Sequence, residues 1–232
     1  MKIALLGYGK MGKAIEEIAL QKEHKIILRK SRENDFKGLE NADVAIDFSA
    51  PYVAVSHISE CLNKGIPIIS GTTGWLEDYD EIIKLCTKKK GTFLYSSNFS
   101  LGVNLFFLLN EKLAEIMKKF SEYRVNLQEI HHTQKLDTPS GTAISLANQI
   151  IKNSNYTSWQ IGQTTDNIIG IESKRIESIH GTHNVIYNST IDQIEIKHVA
   201  HSRTGFVLGV ITAMEWIVGK KGIFTMQDVL NL

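Results

Sequence analysis

Cysteine is nearly missing from this chain, which holds only Cys61 and Cys86 in 232 residues. Each lies in a Lys-flanked stretch with helical patterning and has no CxxC or CxxH partner, so neither a disulfide framework nor a zinc site is expected. A surplus of charge is missing too. Lys plus Arg number 26 against 25 Asp plus Glu, which leaves no basic field to gather nucleic-acid phosphates. The first apolar run, Ile3 to Leu6, gives way at once to glycines and is too short for a secretion signal or a membrane span. These absences lead us to expect a cytoplasmic protein whose partners include neither nucleic acid nor membrane.

What is present is ordinary globular material, 43% hydrophobic and 22% charged, with enough apolar side chain for a packed core. The length suits two modest domains, since domains run to about 100–200 residues each. Ile3 to Leu6 has the character of a buried parallel strand and stops at Gly7-Tyr8-Gly9-Lys10-Met11-Gly12, a GxGxxG turn. Met11, Ile15, Ile18 and Ala19 then recur at helical spacing. A glycine turn between strand and helix presents free N–H groups and the helix dipole to a pyrophosphate. Further strands are expected at Lys25–Leu28, Val44–Phe48, Ile66–Ser70 and Thr92–Tyr95, with helices over Val53–Asn63 and Leu76–Lys88. Such alternation predicts a doubly wound parallel sheet of the Rossmann type.

Ligands of such sheets sit beyond the carboxyl ends of the strands. Small polar residues stand there: Ser49-Ala50-Pro51, Gly71-Thr72-Thr73-Gly74, and Ser96-Ser97-Asn98-Phe99-Ser100. Their hydroxyls and backbone suit a ribose and nicotinamide, and Phe99 is expected to stack on or wall the ring. At the end of the second strand Arg29-Lys30-Ser31-Arg32 favours the 2′-phosphate of NADPH. Glu33 follows, and a shift of one or two residues that brings it into position leaves NADH open.

A long apolar helix, Val103–Phe120, is followed by an alternating strand from Val125 into His131-His132. Neighbouring side chains on a strand face opposite ways, so the two histidines need different roles, and no third ligand follows at metal spacing. Pro139 restricts Thr138 to an extended conformation, and Ser140 is a natural N-cap for a helix through Ile144, Leu146, Ala147 and Ile150. Ser140, Gly141 and Thr142 at that helix start can receive a carboxylate. Lys135 adds a cation, and His131 is the side chain suited to proton exchange near neutral pH. No metal is expected.

The run Glu129-Ile130-His131-His132-x-x-Lys135-x-Asp137-x-Pro139-Ser140-Gly141-Thr142-Ala143 resembles the signature of the 4-hydroxy-tetrahydrodipicolinate (dihydrodipicolinate) reductase family. The likeness extends along the chain: Gly7–Gly12, Asp47-Phe48-Ser49, Gly71–Gly74, Ser97–Asn104, Arg175 with Gly181-x-His183, and His201-Ser202-Arg203 before Phe206. Thr133 and Glu177 depart from the usual pattern without removing a reactive group.

The resemblance implies reduction of a cyclic dicarboxylate by NADPH or NADH with loss of water, in the diaminopimelate route to lysine. It implies catalytic roles for His131 and Lys135 and substrate contacts from His132, Gly141 and Thr142. It also implies a homotetramer. By the same analogy residues 1–101 plus 204–232 form the dinucleotide domain, and residues 102–203 form an inserted α+β substrate and oligomerisation domain on an open mixed sheet. Strands are expected at Ile168–Ile171, Val185–Tyr187 and Ile194–His198, and a returning helix over Thr204–Val218. Trp159, Trp216, His180, His183, His198 and His201 read as structural. Two other readings remain: a related dehydrogenase, which would need a nucleophilic Cys or another Lys/Asp pair, and a dinucleotide-sensing protein, which would have no use for His131, Lys135 and the Ser140 helix start together.

Overall fold

The computed structural model describes residues 1–31, 35–202 and 204–231. Arg32, expected to contact the cofactor, lies outside the described residues, as do Glu33 and Arg203. The chain divides into two compact units, Met1–Ser100 with Thr204–Leu232, and Leu101–Arg203.

The first unit runs β1 (Lys2–Leu6), α1 (Lys10–Gln21), β2 (Lys25–Lys30), β3 (Val44–Asp47), α2 (Pro51–Asn63), β4 (Ile68–Ser70), α3 (Tyr79–Lys89) and β5 (Thr92–Tyr95). The second holds α4 (Leu101–Met117), β6 (Arg124–His131), α5 (Gly141–Lys152), β7 (Ser158–Ile161), β8 (Ile168–Arg175), β9 (Thr182–Asn188) and β10 (Gln193–Val199). The chain returns to the first unit through α6 (Thr204–Ile217), β11 (Gly222–Phe224) and α7 (Met226–Leu230).

Six parallel strands form the first sheet in the order β11-β5-β4-β3-β1-β2. Successive strand residues face opposite ways, so each strand feeds two cores. Ile3, Leu5, Val44 and Ile46 pack with α1, α6 and α7, while Ala4, Leu6, Ala45 and Ile68 pack with α2 and α3. This two-sided burial explains why the strands are continuous apolar runs. The sheet's order reverses between β1 and β3, and their carboxyl ends therefore frame the expected ligand position.

The second sheet, β10-β9-β6-β8-β7, is mixed: β8 runs parallel to β6 and β7, and β9 antiparallel to β6 and β10. Val125, Leu127, Ile169, Ile171, Val185 and Tyr187 pack under α4 and α5. Alternate residues such as Asn126, Gln128 and Ile130 are only half-buried, so among the described residues α4 and α5 cover the other face of the sheet and no helix packs on this one. The doubly wound sheet and the open mixed sheet are both as the sequence leads us to expect.

Candidate active site

In the first unit the glycine turn is built by close approach. Gly7 has φ +100°, and a Cβ there would collide with the Phe48 carbonyl. A Cβ on Gly12 would strike the Gly7 carbonyl oxygen. Gly9 is different: it is the N-cap of α1, no side chain caps the helix there, and a Cβ would meet nothing within 4 Å. The first N–H groups of α1 thus open on a cavity of about 360 Å³ lined by Gly9, Lys10, Met11, Ser49, Gly71, Thr72 and Thr73 among others. A further cavity of about 670 Å³ is lined by Gly7, Tyr8, Gly9, Lys30, Ser31, Tyr52 and His57 among others. Uncapped amides beside a cradle without side chains fit a pyrophosphate. The large cavity is big enough for a nucleoside.

A buried carboxylate organises the strand ends. Asp47, fully buried, accepts hydrogen bonds from Ser49 Oγ (2.6 Å), Thr72 Oγ1 (2.7 Å) and Ser70 Oγ (3.0 Å), and lies 2.9 Å from His57 Nδ1. The loops after β3 and β4 are therefore tied to one acceptor. Arg29 is engaged elsewhere than expected: its Nε donates to both oxygens of Glu16 on α1 at 3.0 and 3.1 Å, and Tyr8 donates its hydroxyl to the same carboxylate. Hydrogen bonds from Arg29 and Tyr8 hold the Glu16 carboxyl below the usual range. Lys30 instead reaches Ser31 O at 2.8 Å and lies over the Phe36 ring.

Phe99 requires a correction. Its side chain is 2% exposed and packs in the core against Phe48, with ring centroids 5.7 Å apart. A ring so enclosed offers no face to a nicotinamide; the backbone around Ser96, Ser97 and Asn98 is what remains of that loop for a ligand. Ser96 Oγ donates to Asn98 O at 2.6 Å, and Asn98 Oδ1 accepts from Ser100 N at 2.9 Å, so the turn is self-bonded.

In the second unit β6 alternates in burial, and Glu129 and His131 fall on the covered side, with His132 half-buried just beyond the strand. A turn closed by Lys135 N donating to His132 O (3.1 Å) brings Lys135 back, and its Nζ contacts both oxygens of Asp137 at 2.8 Å. Burial pushes the Asp137 carboxyl up, but the Lys135 ammonium outweighs it and holds it down. The Thr138–Pro139 peptide is cis. Ser140 caps α5 as expected, its Oγ accepting from Ala143 N at 3.2 Å. Yet it is 2% exposed, with its N–H given to Glu129 at 3.1 Å and its hydroxyl 3.2 Å from His183 Nε2. Ser140 thus reaches the helix start as its cap, with its hydroxyl and N–H already partnered. Gly141, exposed and with no atom within 4 Å of an added Cβ, and Thr142 stand at the open helix start.

Beneath these lies a polar cluster. Glu129, fully buried, has Arg175 Nη2 at 3.2 Å and His131 Nδ1 at 3.2 Å, the latter off the alignment of a hydrogen bond. Burial raises the Glu129 carboxyl, but contacts from His131, Ser140 and Ser173 more than offset this and hold it well below the usual carboxylate range. Burial, with the charge of His131 next, pushes His183 down to about 3. Arg175 also donates to Asp137 O (2.7 Å) and Thr138 Oγ1 (2.8 Å). Glu129, His131 and His183 each offer a ligand-type atom within 4.8 Å of the others, but the guanidinium of Arg175 already stands where a cation would balance Glu129.

Family models named dihydrodipicolinate reductase, N-terminus and C-terminus, match residues 1–99 and 102–230. A 4-hydroxy-tetrahydrodipicolinate reductase of Christiangramia forsetii is 51% identical over all of this chain and 98% of its own. The chain belongs to the dihydrodipicolinate reductase family. A second reductase of that name, from Neisseria gonorrhoeae, is 33% identical over 84% of this chain and 74% of its own. Among solved structures, a dipicolinate-bound dihydrodipicolinate reductase from Paenisporosarcina sp. TG-14 superposes with a TM-score of 0.77, at 21% identity and with 98% of each chain covered; at that identity the likeness concerns the fold.

Cys61 and Cys86 are buried, and burial raises both thiols, which disfavours the thiolate a nucleophilic cysteine needs. Sequence reasoning passes over Glu16 and His57, meets Asp47, Glu129 and Arg175 only as members of matched motifs without a role of their own, and reads His183 as structural. The signal available for Glu129 is its place on the apolar face of an alternating strand, where a charge has to be paired.

Proposed function

We propose that this chain reduces 4-hydroxy-tetrahydrodipicolinate to tetrahydrodipicolinate with a reduced nicotinamide dinucleotide, in the diaminopimelate route to lysine. The observation that carries the reading is full-length identity of 51% to a reductase of that name, in a chain that holds His131, Lys135 and the α5 start together. The first unit serves as the dinucleotide domain and the second as the substrate and oligomerisation domain.

Bound dinucleotide supplies hydride. The amides of Gly9, Lys10, Met11 and Gly12 hold its pyrophosphate; Gly7, Tyr8, Lys30 and Ser31 line the nucleoside position; Gly71, Thr72, Thr73, Ser96, Ser97 and Asn98 offer backbone beyond the strands, and Thr73 and Ser97 their exposed hydroxyls. Lys30 favours NADPH over NADH, and Arg32 adds to this by its charge. Gly141 and Thr142 receive a substrate carboxylate at the start of α5, where the dipole favours an anion, and His132 adds a polar contact. Hydride adds to the ring and hydroxide must leave as water, so one proton is taken up. His131 together with Lys135 supplies that one proton, and Asp137 keeps the Lys135 ammonium oriented.

The half-buried face of the second sheet supports assembly as a homotetramer, and the two unpaired cysteines suit a reducing, cytoplasmic compartment. Light scattering on the purified chain tests the assembly. For the activity, aspartate semialdehyde and pyruvate are condensed in situ by the preceding synthase, and NADPH or NADH oxidation is followed. Oxidation that depends on the condensed product is the expected result; none, from folded protein that binds NADPH, sinks the substrate assignment.

A further inference from the structure

We infer that Glu129 is a positioning residue for the reduction: its buried carboxylate keeps a proton on Nδ1 of His131 and fixes His131 to the start of α5. The inference rests on the proposed reaction, in which His131 is a proton donor.

The geometry makes Glu129 a hub. Its two oxygens take the N–H of Ser140 at 3.1 Å each, which anchors the first residue before α5. Arg175 Nη2 lies 3.2 Å from Oε1 and reaches the Asp137 carbonyl and Thr138 hydroxyl, so the segment between Lys135 and α5 hangs on the same carboxylate. Oε2 lies 3.2 Å from Nδ1 of His131. Coulombic attraction needs no alignment, and inside protein it is several times stronger than in water. A fully buried anion beside an imidazole therefore favours the form that carries a proton at Nδ1.

The remaining groups around the ring do not replace Glu129. His183 of β9 stands with its ring centroid 5.0 Å from that of His131, and burial keeps it uncharged at neutral pH. His198 of β10 is also lowered by burial. Arg175 at the end of β8 and Lys135 in the loop are cations and oppose a charge on His131, while Asp137 is spent on Lys135. Among the described residues in this cluster, Glu129 is the anion that acts on His131 directly. Gly181 leaves the other nitrogen room: a Cβ there would come 3.2 Å from His131 Nε2. That nitrogen then stays available for proton transfer while Nδ1 faces the carboxylate, a division of labour common to paired imidazoles.

Glu129→Gln keeps an acceptor for Ser140 and removes the charge. The expected result is a fall in kcat of at least tenfold at neutral pH, with KM and the dinucleotide Kd within about threefold, and an alkaline limb of the kcat profile displaced to lower pH. A kcat and pH profile like the parent's would overturn the inference, and so would equal losses in kcat and KM with the limb unmoved, since that marks a purely structural role. Nitrogen-15 spectra of ring-labelled, unmutated protein at neutral pH keep the question open to test if the variant does not fold. A proton on Nδ1 of His131 is expected, and a ring protonated only at Nε2 overturns the inference. The spectrum does not depend on turnover, so it separates failure of this pairing from failure of the substrate assignment.

Discussion

Thr72 donates its hydroxyl proton to Asp47 at 2.7 Å and accepts the backbone N–H of Ser49 at 2.8 Å, so one side chain links the loops after β3 and β4. Thr72 and Asp47 are both buried. Removing the acceptor strands several donors, at about 1–3 kcal/mol for each buried group left unmade. Asp47→Ala is expected to lower the melting temperature and weaken dinucleotide binding together, and Thr72→Val to do so less. Calorimetry with an NADPH titration checks both; an unchanged melting temperature in Asp47→Ala contradicts the account.

Two glycines of the same turn are expected to respond differently. Gly7 combines φ +100° with a collision at the Phe48 carbonyl, so Gly7→Ala should destabilise the fold. Gly9 has φ −87° and empty space around an added Cβ, so Gly9→Ala should melt like the parent. Its methyl instead enters the phosphate cradle, and NADPH affinity should fall about tenfold or more, roughly 1.4 kcal/mol. Comparable binding by Gly9→Ala would remove the cradle assignment.

Cofactor choice is expected to depend on Lys30 and on how Glu16 holds Arg29. Lys30→Ala should weaken NADPH more than NADH, by about 1–2 kcal/mol, since only the former carries the 2′-phosphate. Glu16→Gln removes the negative charge beside Arg29 and should move the ratio of kcat/KM values toward NADPH. Equal effects on both dinucleotides in Lys30→Ala would count against a 2′-phosphate contact there.

Much of the fold and part of the site are legible in the amino-acid sequence. Ile3–Leu6 and the glycine turn announce β1 and α1 because strand, turn and helix signals adjoin, and the alternation from Val125 to His131 marks β6 with its buried side. Short strands are legible where both faces are buried, as in the three-residue β4, whereas β7 and β11 are partly exposed and carry no apolar run to announce them. The polar clusters are hidden for another reason. Arg175 lies 46 residues beyond Glu129, and Thr72 lies 25 beyond Asp47, pairings made by sheet register rather than by local spacing. The Phe99 ring is buried against expectation because exposure, which decides whether a residue can meet a ligand, follows from packing across elements.

Acid should destabilise the fold from near neutrality. His183 is pushed down to about 3 from an ordinary 6.5, so between those values the unfolded chain binds the extra proton and stability falls as pH falls, with a slope approaching about 1.4 kcal/mol per pH unit. Glu129 has a lowered folded value, so its contribution is present above its ordinary 4.5 and is lost as pH drops below it. Melting temperature should therefore decline from about pH 6.5 downward. His183→Asn should flatten the decline between about pH 6.5 and 5; an unaltered slope in that window would show that His183 is not buried neutral.

The two proposed proton donors should separate chemistry from binding. Proton transfer by a positioned side chain contributes about 10²–10⁴-fold to a rate, and it acts in the transition state more than in the ground state. His131→Ala is therefore expected to lower kcat by about that factor while the dinucleotide Kd, which the proposal assigns to residues of the first unit, stays unchanged. Lys135→Met should lower kcat and also raise KM, because an ammonium lost near an anionic substrate removes attraction as well as a proton. Stopped-flow turnover with fluorescence titration of NADPH measures the two quantities apart. Equal losses of turnover and dinucleotide affinity in His131→Ala would mean that the residue supports the fold rather than the proton transfer, since a donor that acts only on the substrate ring has no means of weakening a cofactor held by the glycine turn.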